Sequence, residues 1–213
     1  MEAGQPEEQH GFRPGRRLEE HLVTANLVLD KADAVGIPVW IISLDLSKAF
    51  DRVHWPALWT ALVDEGIPVH LVWILQCVYF GQCGEVVGDM GQNSKFNITG
   101  GVRQGCVLSP RLFCSVLQWE MREWRAEVGN VGFDLMDGGP NLFDLRFADD
   151  ILVFGRSRVE AGSLLDALVK HLDRVGLRSN PDKTVVITNE AQPPHTFRTT
   201  AGVILRVLPR DAG

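Results

Sequence analysis

Apolar positions along this chain fall into two rhythms, three-to-four spacing and short unbroken runs. "RRLEEHLVTANLVLDKADAVG" (16–36) spaces its leucines, valines and alanines at helical intervals and ends at a glycine, predicting an amphipathic helix. "PVWIISLD" (38–45) is β-branched and apolar behind Pro38, predicting a buried strand. "WPALWTALVDEG" (55–66) predicts a helix with Pro56 in its first turn and Gly66 as its stop, and Pro68 opens another. "CGEVVGD" and "SKFNITG" flank "MGQN", which predicts a hairpin. Residues 109–128 predict a long helix with Ser109 as N-cap and Pro110 at the first helical position. "GFDLMD", "GGPN" and "LFDLRFADDILVFG" predict further strands, with turns at 138–141 and 148–150. Residues 157–176 predict a helix capped by Ser157, with Glu160 completing a capping box and Gly176 ending it. "KTVVIT" (183–188) predicts a strand. Residues 1–9 read as a disordered N-terminus, and the segment 190–213 as loop with one candidate strand at 201–208.

From residue 38 the order is strand, helices, strands, helix, strand. That is a split βαβ (ferredoxin-like) pattern in the α+β class, an antiparallel sheet with helices on one face. Many unrelated domains share it, so the fold alone assigns no activity.

The chain has 213 residues and a net charge of −6. An acidic balance counts against nucleic-acid binding, although local clusters such as "FRPGRR" (12–17) can still meet phosphates. The first ten residues are too polar for a secretory signal, and "GIPVWIISLDL" is too short to span a bilayer. Cys77, Cys83, Cys106 and Cys114 have no zinc spacing, and the expectation is reduced thiols in an intracellular protein with no membrane partner. Cys106 has no histidine near it in sequence that would make it a nucleophile.

"LRFADDILVFG" (145–155) sets Asp149 and Asp150 side by side inside an apolar run, where Arg146 cannot neutralise both. Buried without partners, such charges cost several kcal/mol. A tight turn could expose them to solvent, or a divalent cation could neutralise them. Mg²⁺ takes carboxylate and phosphate oxygens and keeps waters. Asp45 also ends an apolar run, and a split βαβ sheet would set its strand beside the 142–155 hairpin, with Asp45 facing Asp149. Three convergent carboxylates predict a site for two metal ions.

"SLDLSKAFDRV" (43–53), "GVRQGCVLSPRLF" (101–113), "LRFADDILVF" (145–154) and "GLRSNPDKTVVI" (176–187) resemble motifs A to D of reverse transcriptases. "HGFRPGRR" (10–17) resembles the "GFRPGRS" motif that precedes them, and the forms are those of non-LTR, long-interspersed-element-type retrotransposons. The resemblance implies a polymerase palm with partial fingers over residues 10–189, and RNA-directed DNA polymerase activity. It implies metal ligands at Asp45, Asp149 and Asp150, with the carbonyl of Leu46 as a further one. The cofactor would be two Mg²⁺ ions, with Mn²⁺ as a substitute. Phe50 would lie under the sugar and select deoxynucleotides, and Gln104 and Gly105 would touch the incoming nucleotide and template. Lys183 would protonate the leaving pyrophosphate, and Arg13 and Arg16 would contact template or phosphate oxygens. RNA template, DNA primer and deoxynucleoside triphosphates would be the partners.

Asp51 reads as structural, a cap for the helix near Trp55. Val107 and Cys114 stand where many members of the family have proline and asparagine. Further fingers, a primer grip, thumb and endonuclease are expected on a longer polyprotein. Two alternatives remain at this level: a remnant that keeps the palm without polymerising, and a metal-dependent nuclease or nucleotide cyclase on a similar sheet.

Overall fold

Strand β1 (Trp40–Leu44) is the β-branched run expected to be buried, and the principal sheet is built outward from it. In the computed structural model, residues 8–11, 15–88, 93–135 and 141–208 are described. Helix α1 (Leu18–Val35) precedes β1 and ends at Gly36, whose φ of 67° is the left-handed cap for which glycine is suited. After β1 come α2 (Ala49–Arg52), α3 (Trp55–Asp64), α4 (Val69–Tyr79), β2 (Cys83–Val87) and β3 (Asn93–Asn97). Then follow α5 (Ser109–Val128), β4 (Asp144–Phe147), β5 (Asp150–Gly155), α6 (Arg158–Arg174), β6 (Val185–Thr188), β7 (Thr196–Arg198) and β8 (Ile204–Leu208).

The sheet order is β4-β5-β1-β6-β8-β7, antiparallel except for the β6–β8 pair; β2 and β3 form a separate hairpin. Alternation along β1 divides the core. Trp40, Ile42 and Leu44 join Leu117, Met121 and Trp124 of α5 and Leu164, Leu168 and Leu172 of α6. Each large side chain buried there contributes about 1.5–3 kcal/mol. The Trp124 indole N–H donates to the Leu164 carbonyl at 3.2 Å and ties α5 to α6. Val39 and Ile41 instead pack with Val28 and Ala32 of α1, Leu145 and Phe154. The sheet therefore carries α1 on the face opposite α5 and α6, where one helical face was expected. The apolar runs of β1 and β5 are buried on both sides, so both faces need cover.

Several local expectations are corrected. Ser109 is the first helical residue of α5 and Leu108 the N-cap, without a side-chain cap bond. Pro110 still lies in the first turn. Ser157 does cap α6, accepting from the Glu160 N–H at 3.1 Å, but the Glu160 carboxylate accepts from the Arg156 N–H and does not close the box on Ser157. Asp51 lies inside α2 and accepts from the Gln104 side chain, while His54 is the N-cap of α3. Strand β7 pairs with β8 in the tail read as loop, adding an edge to the sheet. Residues 1–7 and most of the 138–141 turn lie outside the described residues. Glu8 and Gln9 do not belong to a disordered N-terminus. The Arg146 N–H donates to the Glu8 carbonyl at 2.7 Å, and the His10 N–H to the Arg146 carbonyl at 2.9 Å, so this segment runs along the outer edge of β4.

Candidate active site

Asp45 follows β1 directly, and its backbone is held from the β6 side. Its N–H donates to the Thr184 hydroxyl at 3.3 Å, and its carbonyl accepts from the Asn180 N–H at 2.9 Å. The Ser47 N–H donates to the Arg178 carbonyl at 2.8 Å, so the Leu46–Ser179 bridge is made by its flanking residues. In that antiparallel pattern the N–H and carbonyl of Leu46 point away from Ser179, toward the side where β5 pairs with β1.

Strands β4 and β5 join through a two-residue loop, Ala148–Asp149, closed by the Phe147–Asp150 pair. Ala148 has φ 59°, and positive φ at the first loop position alone marks a II′-type turn. Alanine in that region costs on the order of 1–2 kcal/mol. The β1–β5 register pairs Leu44 with Ile151, so one step further Asp45 comes opposite Asp150. Asp149 lies one residue earlier, half-buried in the loop, while Asp150 is exposed. The expectation had Asp45 facing Asp149; the turn shifts the opposing position by one.

All three aspartates gather at one end of the central strands. Partial loss of hydration at the sheet end and the negative charges of Asp149 and Asp45 push the Asp150 carboxyl above the usual carboxylate range. None of the three makes an ion pair among the described residues. Arg146 points away from them and is 1 % exposed, paired to Asp144 at 3.0 Å and donating to Gln118 at 2.7 Å. Arg125 reaches both Asp144 and Glu8. No three histidine, cysteine or acidic side chains among the described residues stand together as a ready metal cluster. The donor chemistry nonetheless fits a hard divalent cation: unpaired carboxylates with a backbone carbonyl, no soft ligand, and a carboxyl penalised by its neighbours.

Phe50 of α2 is half-buried and stacks on Phe113 of α5, centroids 4.9 Å apart and planes 13° from parallel. Its backbone carbonyl accepts from the Val102 N–H at 2.7 Å, and Gly101 donates to Val53 at 2.8 Å, so the 100–105 loop lies against α2. A Cβ on Gly101 would fall 2.8 Å from the Asp51 carbonyl oxygen, which explains a glycine there. The Gln104 amide donates to Asp51 at 3.2 Å. Gly105 has φ 80° with open space beside it, so its backbone is accessible. Cys114 is buried on α5; burial pushes its thiol up to about 11, which makes it inert. Lys183 is exposed one residue before Thr184, the residue that holds Asp45. Arg16 pairs with Glu20 at 3.6 Å at the start of α1 and does not reach the aspartates. Arg13 lies outside the described residues.

Sequence reasoning missed Gln9, Asp144 and Arg146. The last two had a readable signal, since residues two apart on a strand share a face. Gln9 carried none: the loop residue its side chain engages, Ala148, is 139 positions away.

The family described as "Reverse transcriptase (RNA-dependent DNA polymerase)" matches residues 3–200. This chain is a member of the reverse transcriptase family. It is 31% identical over 186 residues to the Pol polyprotein of the type-2 retrotransposable element R2DM of Drosophila melanogaster, covering 87% of the chain and 17% of that relative. It is 26% identical over 204 residues to a probable RNA-directed DNA polymerase from transposon X-element of the same fly, covering 89% of the chain and 20% of the relative. The chain thus spans about a fifth of the length of these two relatives. Its fold is similar to apo telomerase from Candida tropicalis, with TM-score 0.63 at 16% identity, covering 89% of this chain and 34% of that one. Reverse transcriptases generally use divalent metal ions.

Proposed function

We propose that this reverse transcriptase domain is the catalytic palm of a non-LTR retrotransposon polymerase, extending a DNA primer on an RNA template with deoxynucleoside triphosphates. The observation that carries the reading is the shared sheet end, where adjacent strands present Asp45 and Asp150, with Asp149 in the loop between β4 and β5. Asp45, Asp149, Asp150 and the Leu46 carbonyl would hold the divalent cations, two Mg²⁺ with Mn²⁺ able to substitute. Such ions, when bound, supply charge neutralisation at the phosphates and a more acidic primer hydroxyl.

The chain's own residues provide the rest. The primer 3′-hydroxyl loses its proton to solvent, its oxygen bonds to the α-phosphorus, the bond from that phosphorus to the bridging oxygen breaks, and pyrophosphate leaves. Lys183 supplies a proton to that leaving group; a positioned acid of this kind contributes typically about 10²–10⁴-fold. Phe50, braced on Phe113, offers a flat apolar surface under the sugar that a 2′-hydroxyl would crowd. The 104–105 turn offers backbone and an amide to the incoming nucleotide. Arg13 and Arg16 meet template phosphates through forked hydrogen bonds. The setting would be intracellular, where thiols such as those of Cys77 and Cys83 stay reduced.

The deciding experiment is primer extension with Mg²⁺ or Mn²⁺, wild type against Asp149→Asn. Extension by the wild type that disappears in the variant supports the reading. Equal extension by both overturns the site, and none by the wild type assigns the chain to a palm that does not polymerise alone.

A further inference from the structure

We propose that Gln9 is a positioning residue that holds the aspartate-bearing loop between β4 and β5 in its working shape; the functional part of this inference rests on the polymerase reading above. The regular ladder stops at the Phe147–Asp150 pair, so the hairpin itself offers Ala148 no strand partner. Gln9 fills that role. Its Oε1 accepts from the Ala148 N–H at 3.2 Å and from the Gly11 N–H at 2.9 Å. Its Nε2 reaches the Ala148 carbonyl at 3.5 Å. Two N–H donors converging on one atom fix that atom as the oxygen.

The Ala148 carbonyl belongs to the same peptide plane as the Asp149 N–H. An amide that engages both polar groups of Ala148 therefore restrains the backbone from which Asp149 projects. Gln9 is 3 % exposed, so water cannot readily take its place. Close approach is permitted by Gly11, where a Cβ would fall 2.0 Å from the Ala148 nitrogen. The segment cannot drift, because Glu8 and His10 are bonded to Arg146 and the His10 ring stacks on His21 at 3.9 Å. Ala148 has an unfavourable φ without glycine's freedom, so the loop needs such an external hold.

The test compares Gln9→Met, which keeps the volume and loses the polar atoms, with Gln9→Glu, which keeps an accepting oxygen. Amide hydrogen exchange reads the loop, Mn²⁺ titration reads the carboxylates, and single-turnover primer extension reads function. In Gln9→Met, exchange at Ala148 and Gly11 rises about tenfold, the scale of one hydrogen bond's net contribution. Mn²⁺ binds several-fold more weakly, and the extension rate falls about tenfold with nucleotide KM unchanged. Gln9→Glu restores most of each. A general folding defect is separated by α6, where exchange stays at the wild-type level. Gly11→Ala, which pushes the segment off Ala148 from the other side, gives the same loop signature.

Unchanged Ala148 exchange and Mn²⁺ affinity in Gln9→Met overturn the proposal. So does a loss shared equally with α6 and not rescued by glutamate. If the wild type extends no primer, the polymerase reading fails while the exchange and Mn²⁺ arms still decide the role of Gln9.

Discussion

The molecule contains two short hairpins of opposite character. The β4–β5 hairpin lies in the principal sheet, with β1 against one edge, the Glu8–His10 segment against the other, and α5 and α6 beneath. The β2–β3 hairpin forms its own two-stranded sheet, and Val86, Val87 and Phe96 are all exposed. Isolated two-stranded hairpins are marginal in water, so the second is held chiefly by its ends, where the Ile98 N–H donates to the Gln82 carbonyl at 2.9 Å. The comparison teaches that position in the sheet sets precision. The hairpin carrying acid groups is bounded by β1, the Glu8–His10 segment and the helices beneath, while the other leaves its apolar side chains uncovered.

Substitutions should break this contrast unequally. Asp149→Asn has the largest effect: primer extension falls by at least about 10²-fold, the scale of losing one electrostatic stabiliser. Asp144→Asn comes next. It leaves the buried Arg146 guanidinium without its carboxylate, and urea denaturation should show a loss of about 3–5 kcal/mol. A pH series sharpens the comparison further. Burial pulls His21 from its ordinary 6.5 down to about 4, helped by the neighbouring charge of His10. The unfolded chain therefore takes up that proton more readily. Stability is full above pH 6.5 and falls as pH drops toward 4, by about 1–2 kcal/mol at pH 5, checked by urea midpoints at pH 7 and 5. A His21→Phe variant should flatten that slope. On the free hairpin, Phe96→Ser should move stability by no more than about 0.5 kcal/mol in the same assay.

The helices were legible because their punctuation is local. Pro56, Gly36 and Gly176 mark boundaries through their backbones and Ser157 through its hydroxyl, and α5 and α6 show long apolar stripes. Strands β1 and β5 were legible as apolar runs, and their pairing followed from topology. Strand β7 was not, because three residues carry no period and only their pairing with β8 defines them. At the site, Asp45, Asp149 and Asp150 were legible as acids where apolar residues prevail. Their relative placement was not, since the two-residue turn at Ala148–Asp149 decides which aspartate meets Asp45. The Asp144–Arg146 pair went unread because the arginine was weighed only against the aspartates that follow it. The role of Gln9 and the placement of α1 lay beyond local pattern, one acting on Ala148 from far along the chain and the other closing the second face of the sheet.

The pairing of Glu8 and His10 with Arg146 has a practical consequence for anyone trimming the chain. A version starting at Gly11 would uncap β4 and leave the amide and carbonyl of Arg146 facing solvent. An open strand margin of that kind invites edge-to-edge self-association, so the shortened protein should aggregate where the longer one stays dispersed.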